Sequence, residues 1–423
     1  MKTLTPARDI DRAELAAWYR ANRARSAAVF DMFEPAVYYD APIPLRHPFV
    51  FYDGHLPAFS YITLMRNALA RPSLDRAFED LFNRGIDPAS VDAARAHRRS
   101  DWPAREAVGQ FGRAVDAAVL DAFAHATLED AANPQLERAQ AAFNILEHEE
   151  MHHETLAYIV NRLPDDAKRI ARGVHRDTPP ARREPVAIPA GRATLGARRD
   201  RLTFGWDNEF EEHVVDVSAF GLDVHDVTNG DYLAFVEDGA APPPFWLERD
   251  GTWYLRAMAE TIPLPLSWPV YASNAEAAAF AAWSGARLMT EAEYHRAAYG
   301  TPGGEERRQP WGDAPPDGSR GNFDFRRWDP EPAGSTPAGA SAWGIHDLVG
   351  NGWEWTATPF APFAGFAPMA SYLPYSADFF DDQHFVMKGA SPVTSRRLVR
   401  PSFRNWYRRE YAYMFATFRR AWD

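Results

Sequence analysis

The sequence of 423 residues contains no cysteine. This absence excludes disulfide bonds, thiolate metal sites and cysteine nucleophiles together. It does not discriminate between an oxidising and a reducing compartment. Chemistry based on sulfur from the protein itself is therefore outside the reach of this chain.

Excess positive charge and long apolar runs are also missing. The formal net charge of -12 at pH 7 argues against a general nucleic-acid surface, because phosphate binding depends on clustered lysine and arginine. No run approaches the roughly 20 apolar residues of a membrane helix. The N-terminal segment carries acidic side chains and lacks the continuous apolar core of a signal peptide. We expect a cytoplasmic protein that has neither nucleic acid nor membrane as a partner.

The residues that are present suit a folded enzyme. Apolar residues make up 46% of the chain and aromatic residues 13%, which is enough to build sizeable cores. A chain of this length exceeds one ordinary core, so two domains are expected. The 14 tryptophans and 34 prolines indicate loops that pack on aromatic side chains.

The two halves of the chain differ in their patterns. From Thr5 to about Arg172 the apolar residues follow helical spacing, which predicts a bundle of about four long helices. One of these helices is expected to open at Asn133 and to run toward Val160. The segment from Asp177 to Pro185 has proline near both ends and no apolar periodicity, so it is interpreted as a linker.

Beyond the linker, glycine, proline, tryptophan and short apolar runs dominate. The run Val214-Val-Asp-Val217 is typical of a strand, and turn clusters separate such runs. Two short helices are expected near Ala275 to Ser284 and Glu291 to Tyr299. The pattern predicts an irregular α+β domain.

Two histidines, His148 and His152, lie four residues apart in a helical pattern. At about 100° per residue they share one face, one turn apart, which is the spacing at which two side chains can bind one metal ion. Glu154 lies about 200° from His152, which favours a role outside the direct ligand set. Histidine pairs on helices are more commonly solvated or hydrogen bonded than metal-ligating, so the spacing alone leaves the assignment open.

The same segment satisfies the H-E-x-x-H pattern of zinc proteases, with Glu149 as general base. That reading needs a third ligand further along the chain. Glycine is absent until Gly173, and the position of a later glutamate is taken by Asp165 and Asp166. A zinc hydrolase therefore remains a remote alternative.

The third ligand is predicted to be His55, which precedes the amphipathic run from Phe59 to Leu69. Three neutral imidazoles suit Fe(II), Zn(II) or Cu(II), so ligand type does not choose the metal. On iron, up to three remaining positions would accept a substrate nitrogen, a chalcogen atom and O2. Zinc, which has no redox chemistry, could not use such an arrangement.

These histidines, taken with the second half of the chain, resemble the signature of the ergothioneine sulfoxide synthases. The second half carries, in order, a series of motifs that resemble the formylglycine-generating-enzyme fold. They are Gly205-Trp-Asp-Asn-Glu209, Val227-Thr-Asn-Gly-Asp-Tyr232, Trp268-Pro-Val270, Gly285-Ala-Arg-Leu-Met-Thr-Glu-Ala-Glu293, Pro310-Trp-Gly-Asp313, Gly350-Asn-Gly-Trp-Glu-Trp355 and Ser402-Phe-Arg-Asn-Trp406. Most of these residues are expected to shape the fold rather than to react.

The resemblance implies an α+β protein with an N-terminal DinB-like helical bundle. A C-type-lectin-like, formylglycine-generating-enzyme-like domain follows it. The expected limits are 1–175 for the iron-binding bundle, 176–186 for the linker and 187–423 for the substrate-binding domain. Formylglycine-generating activity itself is excluded, since that family depends on cysteines for copper.

The family joins a chalcogen atom to C2 of the imidazole of hercynine, the trimethylated betaine of histidine. The resemblance implies an oxidoreductase with Fe(II) as cofactor and O2 as co-substrate. His55, His148 and His152 would be the iron ligands.

Hercynine would be held by Asn405 and Trp406, within the motif that also contains Arg404. An indole face attracts a quaternary ammonium and an amide can donate to a carboxylate. The alternative for Trp406 is a purely structural core residue.

Three departures from the best-known ergothioneine branch concern substrate contacts. Met151 stands where that branch has a glutamine facing hercynine, and Tyr407 stands where it has an aspartate serving the amino group of the thiol donor. The catalytic tyrosine lies in a divergent stretch, where Tyr375 and Tyr372 are the candidates.

The last motif is more similar to the selenoneine synthase branch, which takes selenium from a selenosugar. Without the aspartate, a neutral sugar donor is favoured over cysteine or γ-glutamylcysteine by about 1–3 kcal/mol, the scale of a charged hydrogen bond. Arg98, Arg99 and Arg105 lie where the family keeps donor-binding arginines, although a solvated basic face is the simpler interpretation. Ergothioneine sulfoxide synthesis remains the main alternative, and a metal-free ligand-binding module is a more distant one.

Overall fold

A computed structural model of the chain describes residues 10–83, 101–178 and 184–423. The chain divides into two units. Unit 1 comprises Met1–Ile170 together with Met369–Leu373, and unit 2 comprises Ala171–Pro368 together with Pro374–Asp423. The short return of the chain into unit 1 was not expected from the sequence, which placed everything after residue 186 in the second domain.

Unit 1 is helical, as the apolar spacing predicts. The second helix continues without a break into a π-helical segment, Tyr61–Ala68. Asp11 caps the first helix by accepting a hydrogen bond from the backbone N–H of Glu14. The helices are α1 Arg12–Phe30, α2 Phe49–Ser60, α3 Arg76–Phe82, α4 Arg105–His125 and α5 Gln140–Asn161.

One local expectation for unit 1 is wrong. Helix α5 begins at Gln140 and not at Asn133, because Arg138 and Ala139 have φ of 55° and 53°. A left-handed backbone cannot continue a right-handed helix. His55 precedes the run from Phe59 as expected, and it lies within α2.

Unit 2 contains thirteen strands within the described residues. They form two four-stranded sheets, in the orders β1-β4-β13-β8 and β11-β10-β9-β12, a three-stranded sheet β5-β6-β7 and a pair β2-β3. The strands are β1 Val186–Ile188, β2 Gly191–Leu195, β3 His213–Val217, β4 Phe220–Leu222, β5 Trp246–Arg249, β6 Thr252–Arg256, β7 Thr261–Pro263, β8 Arg287–Leu288, β9 Gly352–Pro359, β10 His384–Ala390, β11 Asn405–Arg408, β12 Ala416–Thr417 and β13 Arg420–Trp422.

Three helices accompany these strands: α6 Asn229–Glu237, α7 Asn274–Trp283 and α8 Glu291–Ala298. The last two match the expected helices, and α6 was missed. Its sequence signal is the capping box of Thr228 and Asp231, in which each side chain bonds to the backbone N–H of the other. The predicted architecture of a helical bundle followed by an α+β domain is confirmed.

A buried ion pair ties the loop before β3 to the segment before β11. Glu209 is fully buried and accepts two hydrogen bonds from Arg400, at 2.6 and 2.8 Å. It also accepts from the Ser402 hydroxyl at 2.6 Å and from the Trp206 backbone N–H at 2.8 Å. Every lone pair of the buried carboxylate is thereby occupied, so this glutamate of the first unit 2 motif is structural.

Among the described residues, no helix has the length and apolar character needed to cross a lipid bilayer.

Glu209→Gln should destabilise the protein by about 3 kcal/mol, because the partly buried Arg400 guanidinium loses the charge of the fully buried Glu209. Denaturant unfolding at pH 7 measures the change. The matched control is Glu212→Gln, which removes the same charge from an exposed position close by. An equal effect of the two substitutions would contradict the structural role of Glu209.

The contribution of Glu209 should also depend on pH. Burial alone raises the pKa of Glu209, but Arg400 and the hydrogen bonds outweigh this and lower it. Because the pKa of Glu209 is lower in the folded state, its carboxylate stabilises the fold at pH values above the unfolded-state pKa of about 4.3. This stabilisation is lost as the pH falls through the folded-state pKa. The difference between wild type and Glu209→Gln should therefore shrink below about pH 4. A constant difference across this range would contradict the ion pair as its cause.

Candidate metal centre and aromatic cluster

Three histidines of unit 1 converge in its interior. His55 comes from α2, while His148 and His152 come from successive turns of α5, and each is about 5% exposed or less. One ring nitrogen from each lies within 4.8 Å of the others. The Nε2 atoms of His148 and His152 are 3.1 Å apart. The structure therefore brings together the three residues that the sequence predicts as metal ligands.

Neighbouring groups fix the orientation of these rings. The Nδ1 atom of His55 lies 2.7 Å from the carbonyl oxygen of Phe82, so Nδ1 carries the proton and Nε2 presents a lone pair. The ring of His148 stacks on Phe59 with centroids 3.5 Å apart. The ring of His152 packs against Tyr52 at 5.9 Å. Packing therefore holds the rings of His148 and His152, and a hydrogen bond holds that of His55.

The histidines are neutral at physiological pH. Burial lowers the pKa of His55 to about 4. Burial, followed by the neighbouring imidazoles, also lowers the pKa of His148 and His152 well below the usual value. A neutral imidazole is the form that binds a metal.

The arrangement fits a metal ion. The buried Nε2 atom of His55 has no hydrogen-bond partner in the protein. Two imidazole nitrogens bound side by side to one ion, at about 2.1 Å each, are roughly 3 Å apart, which matches the separation between His148 and His152. A hydrogen bond between those two rings would explain their distance, but it would leave the His55 nitrogen unsatisfied. A metal ion would take up one ring nitrogen of each of the three histidines.

The other face of α5 engages α1. Glu149 accepts hydrogen bonds from Arg23 at 2.7 Å and from Ser26 at 2.6 Å. The Ser26 hydroxyl also lies 2.9 Å from Nε2 of His153. Since the carboxylate of Glu149 is held in this buried network, the structure gives no support to a zinc hydrolase in which Glu149 is the general base.

Tyr372 is the candidate tyrosine that belongs to unit 1. Its half-buried ring meets Phe59 edge to face at 5.1 Å and His148 at 6.2 Å. The preceding Ser371 accepts a hydrogen bond from Asn144 at 3.1 Å. Asn144 lies one helical turn before His148, so a single face of α5 carries the metal-site histidines and the anchor of Tyr372.

The other candidate, Tyr375, lies in unit 2 within an aromatic cluster. Its ring stacks on Trp206 at 3.9 Å and meets Trp406 edge to face at 5.2 Å. Trp406 also stacks on Phe360, with centroids 4.2 Å apart and planes only 5° from parallel. Trp406 is half-buried on β11, whereas Phe360 is 1% exposed.

The neighbours of Trp406 on β11 point the other way. Side chains alternate along a strand, so Asn405 and Tyr407 share the face opposite to Trp406. The amide oxygen of Asn405 accepts a hydrogen bond from the backbone N–H of Trp406 at 2.9 Å. The ring of Tyr407 stacks on Tyr411 at 4.9 Å. The structure places these three predicted residues together on one strand but on two faces.

The predicted substrate-binding role of Arg404 needs correction. Arg404 is 3% exposed, and its guanidinium donates to the carboxylate of Glu291 at 3.0 and 3.1 Å. It donates further to the carbonyl of Ala361 at 3.0 Å. The burial of Arg404 and these hydrogen bonds make it an internal support of unit 2.

The remaining predicted contacts are distributed as follows. Met151 is half-buried on α5, directly before His152. The guanidinium of Arg105 lies over the ring of Tyr38 at 4.9 Å, at the start of α4. Arg98 and Arg99 lie outside the described residues.

Sequence reasoning missed Asn144, Phe59 and Phe82. For Asn144 a signal existed, because positions 144, 148 and 152 repeat at four-residue spacing on one helical face. No signal could have identified Phe82, since it acts through its backbone carbonyl.

Comparison with known proteins agrees with both halves of the molecule. Residues 172–423 match the sulfatase-modifying factor enzyme 1-like domain. The hercynine oxygenase of Mycolicibacterium thermoresistibile is 34% identical over 95% of this chain and 92% of its own length. The hercynine oxygenase of Mycobacterium tuberculosis is 39% identical over 51% of this chain and 56% of its own length.

A fungal protein is more distant. Ergothioneine biosynthesis protein 1 of Schizosaccharomyces pombe is 28% identical over 89% of this chain, and the match spans 52% of the fungal protein. Full-length similarity to the thermoresistibile protein and the domain match lead to one conclusion: the chain belongs to the hercynine oxygenase family of ergothioneine sulfoxide synthases, which are oxygenase-type oxidoreductases.

Proposed function

We propose that this protein is a non-heme Fe(II) enzyme that uses O2 to join selenium to C2 of the imidazole of hercynine. The observation that carries the proposal is the convergence of three buried imidazoles, with the Nε2 atom of His55 lacking a hydrogen-bond partner, in a member of this family. The names of the relatives support hercynine as the acceptor.

The overall reaction balances with one O2. The C2–H bond of hercynine and the Se–H bond of the donor break, and a C–Se bond forms. One oxygen atom becomes the oxygen of a selenoxide and the other leaves as water. Conversion of this selenoxide to selenoneine would be a later reaction, which must break the bond between selenium and the sugar and needs a reductant.

His55, His148 and His152 would hold the iron, which supplies the sites for O2 activation and for binding of the substrates. The protein's own part begins with orientation. Stacking on Phe59 fixes the plane of His148, and the Phe82 carbonyl fixes the tautomer of His55. The burial of all three rings keeps bulk water away from the ligands.

Tyr372 is the residue we assign to proton transfer at its phenolic oxygen. Its ring packs against His148 within unit 1, and the hydrogen bond from Asn144 to Ser371 holds the segment in place. Tyr375 has a different environment, with Trp206 on one face and the edge contact to Trp406. We assign Tyr375 to the support of Trp406, whose indole would face the quaternary ammonium of hercynine.

The chemical class of the chalcogen donor is inferred from residues of β11. Tyr407 replaces the carboxylate that would pair with an amino group. A phenol suits the hydroxyl groups of a neutral selenosugar, to which it can hydrogen bond.

Ergothioneine sulfoxide synthesis is the second candidate, with cysteine or γ-glutamylcysteine as donor. The name of the fungal relative, ergothioneine biosynthesis protein 1, favours it.

The metal ligands can be tested by iron binding. After anaerobic loading, wild type should hold one Fe(II), whereas His148→Ala and His152→Ala should retain little, since two imidazoles alone hold iron weakly. His55→Ala should behave likewise. Metal analysis after gel filtration is the measurement. The control is His125→Ala, which removes an exposed histidine of α4. One full equivalent of iron in either α5 variant would refute the assignment.

The two tyrosines can be separated by removing one hydroxyl at a time. Tyr372→Phe should bind iron and hercynine normally but slow bond formation by about 10²–10⁴-fold, the usual range for a lost general acid. Tyr375→Phe keeps its ring stacking and should retain most of the rate. Single-turnover kinetics decide between them. A larger loss in Tyr375→Phe would reverse the roles.

The donor can be identified by competition. Iron-loaded enzyme supplied with hercynine and O2 should couple selenoglucose about 5–160-fold faster than cysteine or γ-glutamylcysteine, as a difference of about 1–3 kcal/mol implies. Mass spectrometry of the products gives the rates. Tyr407→Asp should shift the preference toward the amino-acid thiols. A wild-type preference for either thiol would assign the protein to ergothioneine synthesis.

A further inference from the structure

Helix α3 ends against the metal centre. Its last residue, Phe82, places its carbonyl oxygen 2.7 Å from Nδ1 of His55. The last four carbonyls of a helix have no partner within that helix, and they carry the negative end of its dipole. The end of α3 therefore supplies an acceptor that fixes the tautomer of His55 and makes its Nε2 a stronger ligand.

A buried carboxylate holds α3 in this position. Glu79 lies one turn before Phe82 and is fully buried. One of its oxygens accepts from the Ser73 hydroxyl at 2.8 Å and from the Leu74 backbone N–H at 2.8 Å. The other forms an ion pair with Arg66 at 2.7 Å. Glu79 thus connects α3 to the loop before it and to the π-helical segment.

These contacts form a closed series that begins and ends at His55. Arg66 belongs to the π-helical segment that continues α2, the helix that carries His55. From His55 the path runs along α2 to Arg66, across the ion pair to Glu79, along α3 to Phe82 and back to His55. Both ends of the hydrogen bond between His55 and Phe82 are therefore set by the same ion pair.

The packing of α2 on α3 is equally tight beside His55. A Cβ atom at Gly54 would lie 2.3 Å from the ring of Phe82, which is itself fully buried. The ring occupies the space that any other residue at position 54 would fill. The carbonyl of Phe82 can thus reach His55 only because residue 54, next to His55 in the sequence, is a glycine.

We infer that Glu79 is a positioning residue for the metal centre, acting through α3 and the Phe82 carbonyl to hold His55 in its metal-binding tautomer. The inference rests on the proposed function, in that His55 is taken to be a metal ligand. Glu79 itself touches neither metal nor substrate. Loss of its charge should release α3, lengthen the bond to His55 and allow its proton to occupy Nε2, where it competes with a metal ion.

The test compares Glu79→Gln with Asp80→Asn, which removes the same charge from the next position of α3. Asp80 is more than half exposed and forms an ion pair with Arg76, which is exposed to a similar extent. Co(II), whose visible spectrum reports its ligands, is titrated into each apo-protein. Glu79→Gln should raise the Kd for Co(II) by about 10–100-fold and alter the spectrum, as is typical when the partner of a ligating histidine is disturbed. Asp80→Asn should match wild type.

A second measurement does not depend on the metal. In apo-protein labelled with ¹⁵N-histidine, wild-type His55 should be protonated at Nδ1, and Glu79→Gln should show a mixture of tautomers. A variant with a lower melting temperature but the wild-type tautomer and Co(II) affinity would overturn the inference, because Glu79 would then only stabilise the fold.

If Glu79→Gln does not fold, Arg66→Gln replaces it. The Arg66 side chain is 25% exposed, and its loss leaves the other bonds of Glu79 in place. A smaller change in the same direction is expected, and an unchanged Kd and tautomer would again overturn the inference. Failure of wild type to bind Co(II), with His55 in the expected tautomer, would instead refute the metal centre of the proposed function.

Discussion

The burial of ionisable side chains along α5 is the constraint on which unit 1 depends. Polar groups removed from water must find partners, or the fold loses several kilocalories per mole for each. The helix satisfies this need separately on each side, with α1 covering one face and the three-histidine centre occupying another. Seven ionisable residues of α5 are buried: Glu147, His148, Glu149, Glu150, His152, His153 and Glu154.

The two faces do different work because their partners differ. On the face toward α1, charged side chains form ion pairs, such as that between Arg23 and Glu149. These contacts fix the orientation of α5. Toward α2, neutral imidazoles meet each other and aromatic rings. Such a set of lone pairs would suit an external cation. The face of α5 that packs on α1 thus orients the face that carries the three histidines. Both faces belong to one helix, and its contacts with α1 fix its rotation about its axis.

Much of this could be predicted from sequence where a periodic signal existed. Helical spacing identified His148 and His152, and the turn-rich composition identified the α+β half. His55 was predicted as the third ligand without a spacing that links it to the other two, and the resemblance to the sulfoxide synthases includes it as well. The start of α5 was misplaced because left-handed residues at 138 and 139 follow from tertiary packing and leave no clear local signal. Arg404 was misassigned because a motif does not reveal that Glu291, more than a hundred positions away, takes up its charge.

The return of Met369–Leu373 to unit 1 has a consequence for the completeness of the helical unit. The chain passes from unit 2 to unit 1 and back within a few residues, so a cut at the linker does not separate the two units. A fragment of residues 1–170 alone would lack Ser371, which would leave the buried amide of Asn144 without this partner. Unit 1 is therefore complete only when residues from far along the chain are present.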